Sequence, residues 1–271
     1  MIDTGTGLAA LGAALGGKDI IVKLLGPTAE YIGDGAKEFT RKRFENVKNI
    51  FSNAAKKLGN KLENDVGTVS PKVLKGIIDD GSYCDDFLAT EYFGGVLASS
   101  RTGISRDDRG AYFNSLISGL SSYQLRFHYL VYHLFKLIFN KEAFNVGLEA
   151  DRQKLRIFIP FETYLIGMEF IGAEEKESGN ILTHILTGLT KEGLLDNFYQ
   201  YGDVNFLKTR FPGIDRGGIV LEPSILGIEL FLWAYGLGQK SINDYFKENV
   251  IFDLDQKVNI IGDYKRIPDN K

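Results

Sequence analysis

Ile181-Leu182-Thr183-His184-Ile185-Leu186-Thr187-Gly188-Leu189-Thr190-Lys191-Glu192-Gly193-Leu194-Leu195 reads as a helix that closes on a glycine. Its apolar residues recur at helical steps, and glycine suits the left-handed position just past a helix end. After it come the aromatics Phe198, Tyr199 and Tyr201, then Gly217-Gly218-Ile219-Val220-Leu221, then a strongly apolar helix from Pro223 to Trp233. Helix, extended arm, glycine turn, extended arm, helix is the order of a winged helix, a compact module built on a helix-turn-helix core. Upstream, Ile157-Phe158-Ile159 is strand-like and Phe161 to Ile171 is helical. Ala173 to Gly179 reads as a solvated charge run. The module is placed at residues 151–238, in front of a tail at 239–271. That tail is expected to hold a short helix near Ile242 to Phe246, a strand at Val250 to Phe252 and a charged, mobile end from Tyr264.

Working outward to the N-terminal side, residues 26–150 carry helical patterns. Gly26-Pro27 opens a long helix to about Leu62, with Ala36, Thr40, Phe44, Val47, Phe51, Ala54, Leu58 and Leu62 on one stripe. Ser70-Pro71 opens a short helix through Asp79 that Gly81 ends. A third helix, about Cys84 to Ser100, turns Phe87, Leu88, Tyr92, Val96 and Leu97 inward. Ser105 and Asp108 then resemble a capping box ahead of Tyr112, Phe113, Leu116, Ile117 and Leu120. Ser121 can cap the next helix, which from Leu125 to Phe139 is apolar on nearly every side and is expected at a bundle centre. The pattern breaks between Asn140 and Pro160, where the domain boundary is placed. The fold class is therefore mainly α: a multi-helix bundle followed by a small winged-helix-like α/β module.

Residues 1–25 form a glycine-rich N-terminal segment. Leu8 to Leu15 could be taken for the apolar core of a signal peptide, but no basic residue precedes it. Extension to Leu25 takes in Lys18, Asp19 and Lys23, so a spanning helix is not expected. Gly12 and Gly16 form a small-xxx-small pair, which leaves a loosely packed helix and an oligomerising or membrane-surface element both open.

Composition sets further bounds. The 271 residues are 44% hydrophobic, 25% charged and 12% aromatic, enough for a large core and contrary to disorder. With 32 basic and 35 acidic residues the net charge is −3, so nucleic acid or anionic lipid would have to meet a local patch. Cys84 is the only cysteine, which removes intramolecular disulfides and cysteine-based zinc sites and suits a reducing cytoplasm.

Such a basic patch lies on the long helix. Lys37, Arg41 and Lys48 flank one edge of its apolar stripe, Arg43, Lys57 and Lys61 flank the other, and Lys42 adds to the charge. Such a pattern fits a solvated helix packed in the bundle, an anionic membrane surface or phosphates. Candidate catalytic residues are none. No Gly-x-Ser-x-Gly elbow, Walker loop or strand-linked Gly-x-Gly-x-x-Gly occurs. No metal ligands are assigned. His128 and His133 stand about 140° apart on a helix, His184 lies on another, and Asp85-Asp86 suits a helix N-terminus. Asp79, Asp80, Asp85, Asp86 and Glu91, with Asp107-Asp108 beyond, remain the densest carboxylate cluster, and no cofactor is implied. On the helix beginning at Ile181, Thr183, His184, Thr187, Thr190, Lys191 and Glu192 are expected to face outward. One lysine among them is few for reading DNA.

Several word-like segments resemble the Abi-alpha family, prokaryotic proteins named for abortive infection. They are Leu25-Gly26-Pro27-Thr28-Ala29-Glu30, Val73-Leu74-Lys75-Gly76-Ile77-Ile78-Asp79-Asp80 and Leu97-Ala98-Ser99-Ser100. The strongest are Leu189-Thr190-Lys191-Glu192-Gly193-Leu194 and the block from Gly218-Ile219-Val220-Leu221-Glu222-Pro223-Ser224 through Leu226-Gly227-Ile228-Glu229-Leu230-Phe231-Leu232-Trp233-Ala234. The resemblance runs from about Leu25 to Gly236. It implies antiviral defence, in which an infected bacterium arrests or dies before phage progeny are released. It implies action as a regulator, sensor or effector subunit through a protein partner or a homo-oligomer, with a phage component, nucleic acid or a membrane surface as further partners. It carries no active site.

Overall fold

The structure is a computed structural model that describes residues 41–84, 86–247, 249–252 and 263–267, apart from the side chains of Arg41 and Lys42. The N-terminal segment, the helix start at Gly26-Pro27, Lys37 and Asp85 lie outside the described residues. What is described is mainly helical, with one small antiparallel sheet. The chain divides into two compact units, one of residues 1–119 with 232–239, the other of residues 120–231 with 240–271.

In the first unit, helix α1 (Arg41–Leu58) buries Val47, Ile50, Phe51, Ala54 and Leu58, the stripe expected from their spacing. It does not run on to Leu62. Gly59 takes a left-handed φ of 50° and its N–H closes the last turn on the Ala55 carbonyl, before a separate turn, α2 (Lys61–Asn64). Helix α3 (Pro71–Asp79) begins at the expected proline, although the Ser70 hydroxyl makes no capping bond. A single 3-10 turn at Gly81–Tyr83 leads to α4 (Phe87–Ser100). Asp86 caps that helix by accepting from the Ala89 N–H at 2.9 Å.

Helix α4 is buried on every side from Leu88 to Ser100, which makes it the centre of its unit. Gly95 permits this. A Cβ there would stand 1.8 Å from the Ala234 carbonyl oxygen, so no other residue fits without moving backbone. Helix α5 (Arg109–Gly119) starts later than the Ser105 box predicted, and Asp107 accepts from the Arg109 N–H at 3.3 Å instead. Residues 232–239 complete this unit. Trp233 stacks on Phe113 with centroids 4.6 Å apart, and Ser99 Oγ donates to the Trp233 carbonyl while accepting from the Gly238 N–H, both at 3.0 Å.

In the second unit, helix α6 (Ser122–Ile138) opens with a reciprocal capping box. Ser121 Oγ accepts from the Gln124 N–H, and the Gln124 side chain accepts from the Ser121 N–H. Its burial on nearly all sides matches its all-round apolar sequence. Then follow α7 (Glu149–Gln153), β1 (Ile157–Pro160), α8 (Phe161–Met168), α9 (Ala173–Lys191), β2 (Tyr199–Gly202), α10 (Val204–Lys208), β3 (Gly218–Leu221), α11 (Ile225–Ala234), whose residues from Leu232 belong to the first unit, and β4 (Lys265–Arg266). The sheet order is β2-β3-β1-β4, every pair antiparallel, with Phe158 opposite Val220 and Tyr201 opposite Ile219. Phe158 and Val220 share a core with Leu207, Phe211, Ile214 and Ile267, against which Phe198 packs.

The structure corrects five further expectations. The boundary falls after Gly119 rather than between Asn140 and Pro160, because α6 is fastened downstream: Tyr132 Oη donates to the Leu194 carbonyl at 2.7 Å and His128 bonds the Gly227 carbonyl at 3.1 Å. The charge run at 173–179 is the exposed start of α9, where acidic side chains favour the helix N-terminus. Val250 to Phe252 forms no strand, and the helix near Ile242 is a 3-10 turn, Ile242–Asp244. The charged end instead supplies β4, pairing Arg266 with Ile157 and Lys265 with Phe158.

Candidate functional site

Of the basic residues proposed on the long helix, Lys37 and the side chains of Arg41 and Lys42 lie outside what is described, and the four described do not all face solvent. Arg43 lies 4.0 Å over the Tyr83 ring and donates to Ser82 Oγ at 3.1 Å, so its guanidinium packs the 3-10 turn onto α1. Lys57 is a correction. It turns inward to an ion pair with Glu91, whose side chain is 3% exposed, and Lys57 itself is 11% exposed. Glu91 is a buried carboxylate in the middle of an apolar helix and requires a cation, so Lys57 serves the fold rather than the surface. Lys48 faces solvent beside Glu45 at 3.7 Å, and Lys61 is exposed.

The carboxylate cluster also disperses. Asp86 caps α4, Glu91 is held by Lys57, and Asp107 takes the Arg109 guanidinium at 2.8 Å, whose hydrogen bonds pull its pKa below the usual carboxylate value. Asp79 pairs with Lys75 and Asp108 with Lys72 at 3.0 Å, along an open groove of about 440 Å³ between α3 and α5. Cations and carboxylates balance along that groove. Among the described residues no group of three or more His, Cys, Asp or Glu could hold a metal ion. Nor does any described helix have the length and apolarity to cross a membrane.

The histidines divide between core and surface. His128 is fully buried, and loss of solvent pushes its pKa down to about 3, so the ring is neutral and its Nε2–H donates to the Gly227 carbonyl. Burial also lowers the pKa of His133. His184 is exposed on α9, its Nε2 3.0 Å from Ser121 Oγ.

The surface best suited to contact other molecules is the outward face of α9. Thr183, His184, Thr187, Lys191 and Glu192 are exposed as expected, whereas the Thr190 hydroxyl is turned in and buried. Thr183 Oγ1 lies 3.2 Å from Tyr201 Oη, which joins the face to β2, an edge strand. The first turns of α9 add Glu174, Glu175 and Glu177, against Lys176 alone. Tyr123 Oη donates to Glu174 at 2.5 Å, and that bond with the Ile171 N–H holds the Glu174 pKa below its ordinary value. The pattern of 173–179 reads as a solvated charge run, whereas the structure makes these residues the first turns of the helix. Their signal was compositional: consecutive glutamates just after Gly172, where a helix N-terminus favours negative charge.

Comparison with known proteins returns no matching family model, no matching curated protein and no matching solved structure.

Proposed function

We propose that this chain is a bacterial anti-phage protein of the abortive-infection type that works through protein contacts rather than by catalysis or by reading nucleic acid. The defence role rests on the segments that resemble the Abi-alpha family. The unit from β1 to β3 is taken as a winged-helix-like module, supported by the element order strand, helix, helix, strand, short helix, strand and by the sheet order β2-β3-β1. In such a module α9 occupies the place of the recognition helix.

One observation carries the choice of partner. The outward face of α9 offers phosphates two lysines, Lys176 and Lys191, while Glu174, Glu175, Glu177 and Glu192 repel them, and Glu192 stands 3.3 Å from the Lys191 ammonium. A nucleic-acid surface reverses that balance, since cations on phosphates supply most of its affinity.

The test is plating. Cells carrying the gene with its native neighbours are expected to lower the yield of at least one phage in a broad panel, and unchanged plating across the panel would overturn the defence reading. A salt-dependent shift of duplex DNA or RNA by the purified chain, lost on substituting Lys176 and Lys191, would overturn the assignment to protein contacts.

A further inference from the structure

Helix α8 carries an outward face that no described residue of its own unit covers. Glu162, Leu165 and Ile166 sit at positions i, i+3 and i+4, hence on one side of a helix with 3.6 residues per turn, and Glu169 follows as the left-handed C-cap at φ 51°. All four are exposed, while Thr163, Tyr164, Gly167 and Met168 on the other side are buried. Leu165 is 40% exposed, Ile166 45%, and Ile171 in the following turn 75%. A helix lying on a core ordinarily turns polar residues to solvent. Here an apolar pair is turned outward between two carboxylates.

The charge around this pair is mainly negative. From residue 161 to residue 178 the chain holds Glu162, Glu169, Glu174, Glu175 and Glu177, with Lys176 the one cation. Glu169 is met by Arg126 at 2.8 Å and Glu174 by Tyr123, whereas Glu162 and Glu175 have no ion-pair partner among the described residues. We propose that the outward face of α8 is the docking site for a cationic amphipathic segment of a partner protein. The segment's apolar side chains would cover Leu165, Ile166 and Ile171, and its lysines or arginines would meet Glu162 and the acidic start of α9. The inference rests on the protein-contact reading above and names the chemistry of the partner.

Charge complementarity selects this occupant. A second copy related by a two-fold axis would bring Glu162 and Glu169 against the same residues, and like charges facing each other across an interface are costly. An anionic bilayer is repelled by the same carboxylates.

The experiment titrates the full-length chain into a fluorescently labelled peptide of leucine and lysine at amphipathic helical spacing, with a leucine–glutamate peptide of the same pattern as control. Saturable binding of the lysine peptide is expected, with no binding of the glutamate peptide. Leu165→Ser combined with Ile166→Ser should weaken it at least tenfold, and Glu162→Lys at least threefold. All three side chains are exposed, so the variants should keep the parent's circular dichroism and urea midpoint; should the double variant unfold, Glu162→Lys alone decides. Equal binding by parent and folded variants, or equal binding of the two peptides, overturns the proposal. So does a dimer in sedimentation that the double variant abolishes, or flotation with phosphatidylglycerol vesicles that it abolishes. The plating test is independent: peptide binding without any effect on phage would sink the defence reading and leave the docking site standing. Defence without peptide binding would do the reverse.

Discussion

His128 couples the second unit to pH. The unfolded chain holds this side chain near the ordinary histidine pKa of about 6.5, whereas burial in the native state keeps it near 3. Between these values the unfolded state binds a proton that the folded state refuses, so stability falls as pH drops through this window. The slope approaches about 1.4 kcal/mol per pH unit from this residue, and above pH 7 its contribution is flat. His133, whose pKa burial also lowers, acts in the same direction. His128→Gln keeps a donor toward the Gly227 carbonyl and removes the titration. Its unfolding free energy in urea, followed from pH 7 to pH 4, should decline less steeply than the parent's, and parallel declines would show that another group controls the acid limb.

At the scale of elements, helix ends explain most of the boundaries. Gly193, at φ 70°, ends α9 as a left-handed cap: the Leu194 N–H reaches back to the Leu189 carbonyl at 2.7 Å and the Glu192 N–H to Gly188. The start of α6 is more demanding. Ser121 Oγ accepts from the Gln124 backbone and also meets His184, while Gln124 Nε2 reaches the His184 carbonyl at 3.4 Å. One cap therefore satisfies a helix terminus and joins α6 to α9. Ser121→Ala is expected to cost about 1 kcal/mol, within the range for lost N-caps. Chemical denaturation checks this, and a loss below about 0.3 kcal/mol would mean that solvent replaces the cap.

The whole molecule follows a chain that leaves its first unit and returns to it. Residues 232–239 belong with residues up to 119, and they bring in Trp233, 1% exposed, against Phe113, together with both backbone partners of the Ser99 hydroxyl. Loss of a fully buried tryptophan alone costs about 3–5 kcal/mol, a large share of the stability of a domain. A fragment ending at Gly119 is accordingly expected to lack a cooperative urea transition by circular dichroism. A sharp transition at the midpoint of the full chain would show the returning segment to be dispensable.

What the sequence determined by itself is what neighbouring residues decide. The stripe of Val47, Phe51, Ala54 and Leu58, the cap at Ser121, the glycine end at Gly193 and the strand at Ile157 were legible because periodicity, caps and turns act over a few positions. So were the arms at Tyr199 to Tyr201 and Ile219 to Leu221, although the helix α10 stands between them ahead of the glycine turn. Tertiary structure decided the rest. Lys57 reads as one more surface cation until Glu91, 34 positions on, is found buried beside it. The run 173–179 is polar enough for a loop, and Leu165 with Ile166 is apolar enough for a core. Only the folding of α8 and α9 made the first a helix start and left the second facing solvent. Nor does anything local in Lys265-Arg266 announce an edge strand, since its hydrogen-bonding partner is β1, more than 100 residues earlier. Side-chain pattern is a local quantity, whereas burial and partnership depend on which distant segments the fold brings together.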